Sequence, residues 1–161
     1  MTREEAYSQC LTTLSKSNFT LVELPTGYGK SYISIRMTNH LIETTYKDKS
    51  EVSILLLVAK TVHKETWKDE LAKWGGIKGN ANLIIECYES LHKHVDKHYD
   101  IIIMDECHHL SSDLRHDFFH TISFGNVIGL SATIPKKLKL YLQYEYHAQT
   151  VLCNITDAIK D

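Results

Sequence analysis

The sequence predicts an α/β fold with a mostly parallel central sheet and helices on both faces. Strand-like apolar runs alternate with helix-like stretches along the chain, and the central run "ILLLVA" at 54–59 is apolar at every position. Parallel strands need long crossover connections, and strands covered on both faces read as continuous apolar runs. The 161 residues suit one domain over residues 1–161.

The first predicted elements are a helix, a strand and a second helix. Thr2 and Glu5 form a capping-box pattern ahead of apolar residues at helical spacing, which predicts a helix over 2–14. The run "FTLVEL" at 19–24 predicts a buried strand. The stretch 30–46 repeats apolar residues every four positions and predicts the second helix.

Further strands and helices continue this alternation. The predicted strands cover 51–59, 82–87, 99–106 and 126–132, with a possible last strand at 149–155. Helix-like stretches lie at 62–76 and 111–122. Strands and helices that alternate at this spacing favour a parallel sheet covered on both faces.

Composition and charge exclude several classes of protein. A formal net charge of −2 provides no overall positive field, so any contact with a polyanion must be local. The longest apolar run, 54–59, is far too short to span a membrane, and the amino terminus lacks a signal-peptide pattern. We therefore expect a cytoplasmic protein with no membrane partner.

The cysteines and histidines raise the question of a metal site. Four cysteines without a CxxC pair argue against a disulfide framework or a zinc ribbon. Histidines and a cysteine cluster between His92 and His109, which is one possible metal site. Its ligands would lie on both sides of a predicted buried strand, and this disfavours it.

The stretch "PTGYGKS", residues 25–31, has the composition of a phosphate-binding loop. Glycines let backbone N–H groups turn toward an anion, and the following helix directs its positive end there. Lys30 would reach the outer phosphates and the Ser31 hydroxyl would bind Mg²⁺, as in the GxxxxGK[ST] pattern. Leu24 stands where that pattern has its first glycine, so a plain strand-to-helix turn is the alternative.

A pair of carboxylates supports the phosphate-binding interpretation. In "IIIMDECHH", a predicted buried strand delivers Asp105 and Glu106 to its carboxyl end, beyond which doubly wound sheets bind their ligands. One carboxylate can hold Mg²⁺ while the other takes a proton from an attacking water. Alone, such a pair is more often a helix cap or a solvated turn. Together with Lys30 it predicts a nucleotide site.

These stretches resemble the motifs of a known family. "PTGYGKS", "DECHH" and "GLSATIP" stand in the order of the first main motifs of superfamily two helicases, whose first loop, AxxGxGK[ST], tolerates a residue such as Leu24. The resemblance implies a RecA-like P-loop NTPase fold, the ATP-binding first lobe of a helicase, and ATP and Mg²⁺ as cofactors. The DECHH box and the carboxyl end are most similar to restriction-enzyme and phage-type DNA helicases, which implies a bacterial cytosol or a phage-infected host cell.

The resemblance also implies a role for individual residues. The nucleotide would be held at its adenine by Gln9 and at its phosphates by Pro25, Thr26, Gly27, Tyr28, Gly29, Lys30 and Ser31. Asp105 would complete the metal site with Ser31, and Glu106 would orient or deprotonate the attacking water. Coupling to nucleic acid would pass through His108, Ser131, Ala132 and Thr133.

Nucleic-acid contacts are implied by two weaker matches. The segments "LLVAKTVHKETW" and "CYESL" resemble family motifs that face the bound strand, which indicates Lys60, Thr61, Tyr88 and Ser90. The first segment departs from the pattern PTxxLxxQW at several positions. Its lysines, and those of 136–139, fit solvated faces equally well. We expect single-stranded or duplex nucleic acid, DNA rather than RNA, as the partner.

The family resemblance implies a second RecA-like lobe outside this sequence, which supplies an arginine finger. We therefore expect residues 1–161 to be the first lobe, with little ATP hydrolysis of its own. Three alternatives remain: a P-loop enzyme of another class, such as a kinase or a switch NTPase, the corresponding lobe of an RNA helicase, and an interaction domain with a degenerate site.

Overall fold

The computed structural model describes residues 2–25, 29–111 and 117–153. Its strands are β1 (Phe19–Glu23), β2 (Val52–Val58), β3 (Ala81–Cys87), β4 (His98–Met104), β5 (Ser123–Ser131) and β6 (Gln149–Leu152). Its α-helices are α1 (Arg3–Leu14), α2 (Lys30–Glu43), α3 (Val62–Lys73) and α4 (Lys136–Tyr146). None of the helices in these ranges has the length and hydropathy that crossing a membrane requires.

The described strands form one sheet in the order β3-β2-β4-β5-β1-β6. Every neighbouring pair is parallel. This arrangement confirms the predicted α/β fold, and the sheet is more uniform than expected, since all of its described pairs are parallel.

Apolar side chains cover the sheet on both faces. Successive side chains of a strand point to opposite faces, so in β2 Ile54 and Leu56 pack with α1, α2 and α3, whereas Leu55 and Leu57 pack with α4. Each face therefore has its own core, and a strand such as β2 has no polar side.

Helix α4 was not predicted from the sequence. Its first residues, 136–139, were interpreted as a run of charges. The helix follows Pro135, and Leu138 and Leu142 lie one turn apart and are buried against the sheet. The spacing of these two leucines was the signal that could have predicted the helix.

Two connections between strands contain 3₁₀ helices, and a longer helix was predicted for one of them, 111–122. A 3₁₀ helix, Tyr88–His94, joins β3 to β4. The helix-like stretch 111–122 lies partly outside the described residues, and its described part includes the 3₁₀ helix Phe118–His120. Phe118 and Phe119 are buried there in the second core, so the apolar residues of this stretch pack without an α-helix.

A buried carboxylate joins the amino ends of the central strands. Asp100 of β4, which is 3% exposed, accepts hydrogen bonds from the Ser53 N–H at 2.9 Å and from Lys49 Nζ at 2.7 Å. His98 Nε2 lies 3.1 Å from the same carboxylate. Burial disfavours the charged form, but these partners outweigh it and hold the pKa of Asp100 below its ordinary value.

Candidate nucleotide-binding site

The loops that follow three neighbouring strands meet at the carboxyl edge of the sheet. The register pairs Glu23 of β1 with Ser131 of β5, and Met104 of β4 with Gly129 of β5. The glycine loop follows β1, the acidic pair follows β4, and the segment from Ser131 ends β5. The topology therefore brings the three predicted motifs to the edge where doubly wound sheets bind ligands.

Helix α2 begins directly after the glycine loop. Gly29 caps it with φ of 92° and ψ of 33°, a left-handed conformation that glycine adopts without steric cost. The first N–H groups of the helix lack partners within it, which suits an anion. Thr26, Gly27 and Tyr28 lie outside the described residues, so their contacts with phosphate stay predictions.

Lys30, the first residue of α2, contacts both carboxylates of the acidic pair. Its Nζ lies 3.0 Å from Asp105 Oδ1 and also forms an ion pair with Glu106. Burial alone would lower the pKa of Lys30, but the two carboxylates raise it above its ordinary value. Lys30 is therefore a persistent positive charge held by two carboxyl groups.

The two oxygens of Asp105 have different environments. Asp105 is 7% exposed, and its Oδ2 accepts a hydrogen bond of 2.9 Å from Trp67 Nε1. Its backbone is held by Leu57, which accepts from its N–H at 2.9 Å, and by Tyr88, whose hydroxyl donates to its carbonyl at 2.7 Å. Oδ1 is buried, and its one close partner among the described residues is the Lys30 ammonium, 3.0 Å away.

Ser31 is connected to α3 rather than to the acidic pair. Its hydroxyl donates a hydrogen bond of 3.0 Å to Glu70 Oε2, and Trp74 Nε1 donates to the same oxygen at 2.8 Å. Neither Glu70 nor either tryptophan was among the residues predicted for the site. The sequence places Trp67, Glu70 and Trp74 on one helical face, but this spacing does not indicate which residues outside α3 they contact.

The donors at this edge fit a magnesium ion. Ser31 and Asp105 offer a hydroxyl and a carboxylate, the hard oxygen ligands that Mg²⁺ prefers, and Asp105 Oδ1 is a buried oxygen with spare acceptor capacity. Mg²⁺ is usually bound by one or two protein groups together with phosphates and waters. Within the described ranges no group of three or more His, Cys, Asp or Glu side chains is arranged to hold a metal ion.

His108 connects the acidic pair to the end of β5. Its Nδ1 lies 3.1 Å from Ser131 Oγ and 3.5 Å from Glu106 Oε2. Ser131 donates in turn to the Thr133 carbonyl at 3.0 Å, while Ala132 and Thr133 are exposed. The structure thus brings together the residues that were predicted to couple nucleotide to nucleic acid, and the coupling itself stays a prediction.

Cys107 is adjacent to the acidic pair but is not a nucleophile. Its side chain is fully buried, and burial raises the pKa of its thiol to about 12. A thiolate is the reactive form of cysteine. The site therefore offers carboxylates and a lysine for chemistry, and no reactive thiol at this position.

Two further residues predicted to bind the nucleotide, Gln9 and Pro25, are exposed. Gln9 is exposed on α1 and lines a shallow cavity with Thr150 and Leu152 of β6. Its role at adenine stays a prediction. Pro25 is exposed where the glycine loop begins.

Of the four predicted nucleic-acid contacts, two are exposed, one is half-buried and one is buried. Lys60 and Thr61 are exposed just before α3, and Ser90 is half-buried. Tyr88 is 2% exposed and holds the backbone of Asp105. The Tyr88 side chain therefore supports the site from inside the protein and presents no surface to a nucleic acid.

Several lysines that fitted either a nucleic-acid contact or a solvated face form ion pairs with acidic residues. Lys139 of α4 pairs with Glu23 at the end of β1, and Lys64 of α3 lies 3.7 Å from Glu86. Lys68 pairs with Glu65 at 3.0 Å. Pairs at the protein surface contribute little to stability, so these contacts mainly reduce the positive charge available to a nucleic acid.

Comparison with known proteins adds two matches. The family model "Type III restriction enzyme, res subunit" matches residues 2–136. A solved structure of a nuclease-deletion mutant of the Type ISP restriction-modification enzyme LlaGI, in complex with a DNA substrate mimic, is similar with a TM-score of 0.56 and 14% identity. The similarity covers 81% of this chain and 17% of that chain, and it shows a shared fold. No curated protein sequence matches significantly.

Proposed function

Because the chain belongs to the family of the type III restriction enzyme res subunit, we propose that it is the ATP-binding lobe of an ATP-dependent DNA helicase or translocase. The family match confirms the predicted relation to superfamily two helicases. One observation carries the proposal for the site. Lys30 begins a helix at the carboxyl edge of a parallel sheet and contacts both Asp105 and Glu106.

The arrangement supports a division of roles for a bound nucleotide. Lys30 and the amino end of α2 would bind the outer phosphates, since both present positive charge to them. Ser31 and Asp105 would hold Mg²⁺, which when bound neutralises phosphate charge and orients the reacting groups. Glu106 would accept a proton from the attacking water. His108, within 3.5 Å of Glu106 and 3.1 Å of Ser131, would respond to changes at Glu106.

Efficient hydrolysis would need an arginine in addition to Lys30, and both arginines among the described residues have other partners. Arg3 lies 4.3 Å from the centre of the Tyr32 ring, and Arg36 lies 3.8 Å from that of Tyr7 and pairs with Glu4. Both described arginines are thus engaged between α1 and α2. In phosphoryl transfer an arginine that stabilises the transition state is worth several orders of magnitude in rate. We therefore expect a second RecA-like lobe to supply it.

DNA is the proposed partner for two reasons. Lys60 and Thr61 are exposed ahead of α3, and the structural relative was determined with a DNA substrate mimic. With a net charge of −2, the chain would bind DNA through local contacts, so binding should weaken steeply as salt increases.

Substitution of Lys30 tests the nucleotide site. Lys30→Ala should lower the affinity for Mg–ATP about tenfold or more, because a charge-assisted hydrogen bond contributes roughly 1.5–3 kcal/mol. Isothermal titration with a slowly hydrolysed ATP analogue measures this. The matched control is Lys47→Ala, which removes an exposed lysine beyond α2. Equal affinities for wild type and Lys30→Ala would overturn the assignment of the site.

A coupled ATPase assay with and without single-stranded DNA tests the need for a second lobe. We expect residues 1–161 to hydrolyse ATP slowly, with little stimulation by single-stranded DNA. Vigorous DNA-stimulated hydrolysis by this chain alone would show that it completes the reaction unaided.

A further inference from the structure

Both tryptophans of the chain donate their indole N–H to carboxylates at the proposed metal site, Trp67 to a proposed ligand and Trp74 to a residue that contacts the other ligand. Trp67 Nε1 donates to Asp105 Oδ2 at 2.9 Å, and Trp74 Nε1 donates to Glu70 Oε2 at 2.8 Å. The same Glu70 oxygen accepts the Ser31 hydroxyl at 3.0 Å. One face of α3 and its C-terminal cap therefore contacts both Asp105 and Ser31.

We propose that Trp67 and Glu70 are positioning residues that orient Asp105 and Ser31 toward the Mg²⁺ of a bound nucleotide. The inference rests on the proposed function, because it takes Asp105 and Ser31 as the metal-binding groups. It adds a supporting helix, α3, to a site otherwise built from the loops after β1 and β4.

The bond from Trp67 determines which oxygen of Asp105 faces the site. A carboxylate whose Oδ2 is held by a buried indole cannot rotate without losing that hydrogen bond. Its Oδ1 is then directed toward the Lys30 ammonium, 3.0 Å away, and has no other hydrogen-bond donor among the described residues, so a second lone pair is left. A buried oxygen with spare acceptor capacity is what an incoming cation requires.

The bond to Glu70 orients the Ser31 hydroxyl. A serine hydroxyl has one hydrogen and two lone pairs. Since the hydrogen is donated to Glu70, both lone pairs remain for a cation. Hydrogen bonds of this kind behind a metal ligand typically change metal affinity by roughly 10–100-fold when they are removed.

Packing alone does not account for this arrangement. Burial explains why Trp67 is 4% exposed, and a buried indole N–H needs some acceptor. The Trp74 indole, four residues after Glu70, likewise explains why Glu70 folds back on its helix, but neither contact explains why the same Glu70 oxygen also accepts the Ser31 hydroxyl. A role in orienting Ser31 accounts for that contact.

Removal of the Glu70 carboxylate tests the proposal through the magnesium dependence of nucleotide binding. Binding of a fluorescent ADP analogue is measured at increasing Mg²⁺ and in EDTA. Glu70→Ala should raise the Mg²⁺ concentration for half-maximal enhancement of binding by about tenfold, with the affinity in EDTA unchanged. Glu70→Gln keeps an acceptor oxygen and should restore most of the loss. The control Glu65→Ala removes an exposed carboxylate of the same helix and should behave as wild type.

The two tryptophans provide a readout that does not depend on activity. The chain has two tryptophans, so a ¹⁵N-labelled sample gives two indole N–H resonances. Mg–ADP should shift the Trp67 resonance more than ADP in EDTA does. Glu70→Ala should shift the Trp74 resonance without any nucleotide, because that indole loses its acceptor.

A second variant keeps the test decisive if Glu70→Ala does not fold. Trp67→Phe retains an aromatic ring and removes the N–H, and it should also raise the Mg²⁺ requirement. An unchanged or lower Mg²⁺ requirement in folded variants would overturn the inference and leave the proposed function intact. Failure of the wild type to bind ADP at any Mg²⁺ concentration would instead overturn the proposed function, and the inference with it.

Discussion

Burial and the neighbouring carboxylates have opposite effects on the pKa of Lys30. Removing an ammonium from water disfavours its charge, yet Asp105 and Glu106 raise the pKa of Lys30 above its ordinary value. The charge of Lys30 therefore persists at neutral pH and above. A phosphate that binds there has to compete with the carboxylates of Asp105 and Glu106 for the Lys30 ammonium. This competition lowers the affinity for nucleotide.

This competition predicts the effect of a neutral residue at position 106. Glu106→Gln removes one of the charges that hold Lys30, so the affinity for Mg–ATP should stay equal or increase. Titration calorimetry on the wild type and the variant measures it. A loss as large as that expected for Lys30→Ala would mean that Glu106 itself binds the nucleotide or its metal.

Several residues of the site could be predicted from the sequence because strand ends are local features. Lys30 follows one apolar run and Asp105 ends another, and the carboxyl ends of parallel strands share an edge. Glu70 and Trp67 could not be predicted in the same way. Their partners, Ser31 and Asp105, are brought to α3 by packing across the molecule, and no pattern within α3 names them.

Among the elements, the sequence predicted the strands better than the connections. Runs such as β2, which is apolar on both faces, carry a strong signal. Helix α4 was missed because its lysines obscured the spacing of Leu138 and Leu142. The segment between β3 and β4 is a 3₁₀ helix, for which sequence patterns provide little warning.

The amino ends of β2 and β4 depend on a buried charge. Asp100→Asn should destabilise the protein by about 1–3 kcal/mol at pH 7, because the variant loses the charge that pairs with Lys49 and accepts from the Ser53 N–H. The folded pKa of Asp100 lies below its ordinary value. Its contribution is therefore complete above that ordinary value and is lost as pH falls through the folded pKa.

Urea unfolding of the wild type and Asp100→Asn at several pH values measures this contribution. The difference between the two proteins should be largest near neutral pH and should shrink in acid. The control Asp48→Asn changes an exposed aspartate and should show no comparable difference. A difference for Asp100→Asn that grew as pH fell would contradict the assignment of the buried charge.

At the scale of the whole molecule, the sheet order explains why distant motifs form one site. Strand β5 lies between β4 and β1, so the segment from Ser131 is placed between the acidic pair and the glycine loop. This order agrees with the RecA-like fold that the motifs implied, and the family match over residues 2–136 covers all three motifs. The sequence did not predict that α3 contacts Asp105 and Ser31, or that Tyr88 is buried.

A crystal structure of the chain with Mg–ADP tests the central claim most directly. We expect phosphate oxygens about 2.7–2.9 Å from Lys30 Nζ. We also expect Mg²⁺ about 2.0–2.1 Å from Ser31 Oγ, with the Asp105 carboxylate next to the ion. This claim would be contradicted by ADP bound elsewhere, for example in the groove lined by Tyr7, Tyr32 and Arg36, with Lys30 still paired to Asp105 and Glu106.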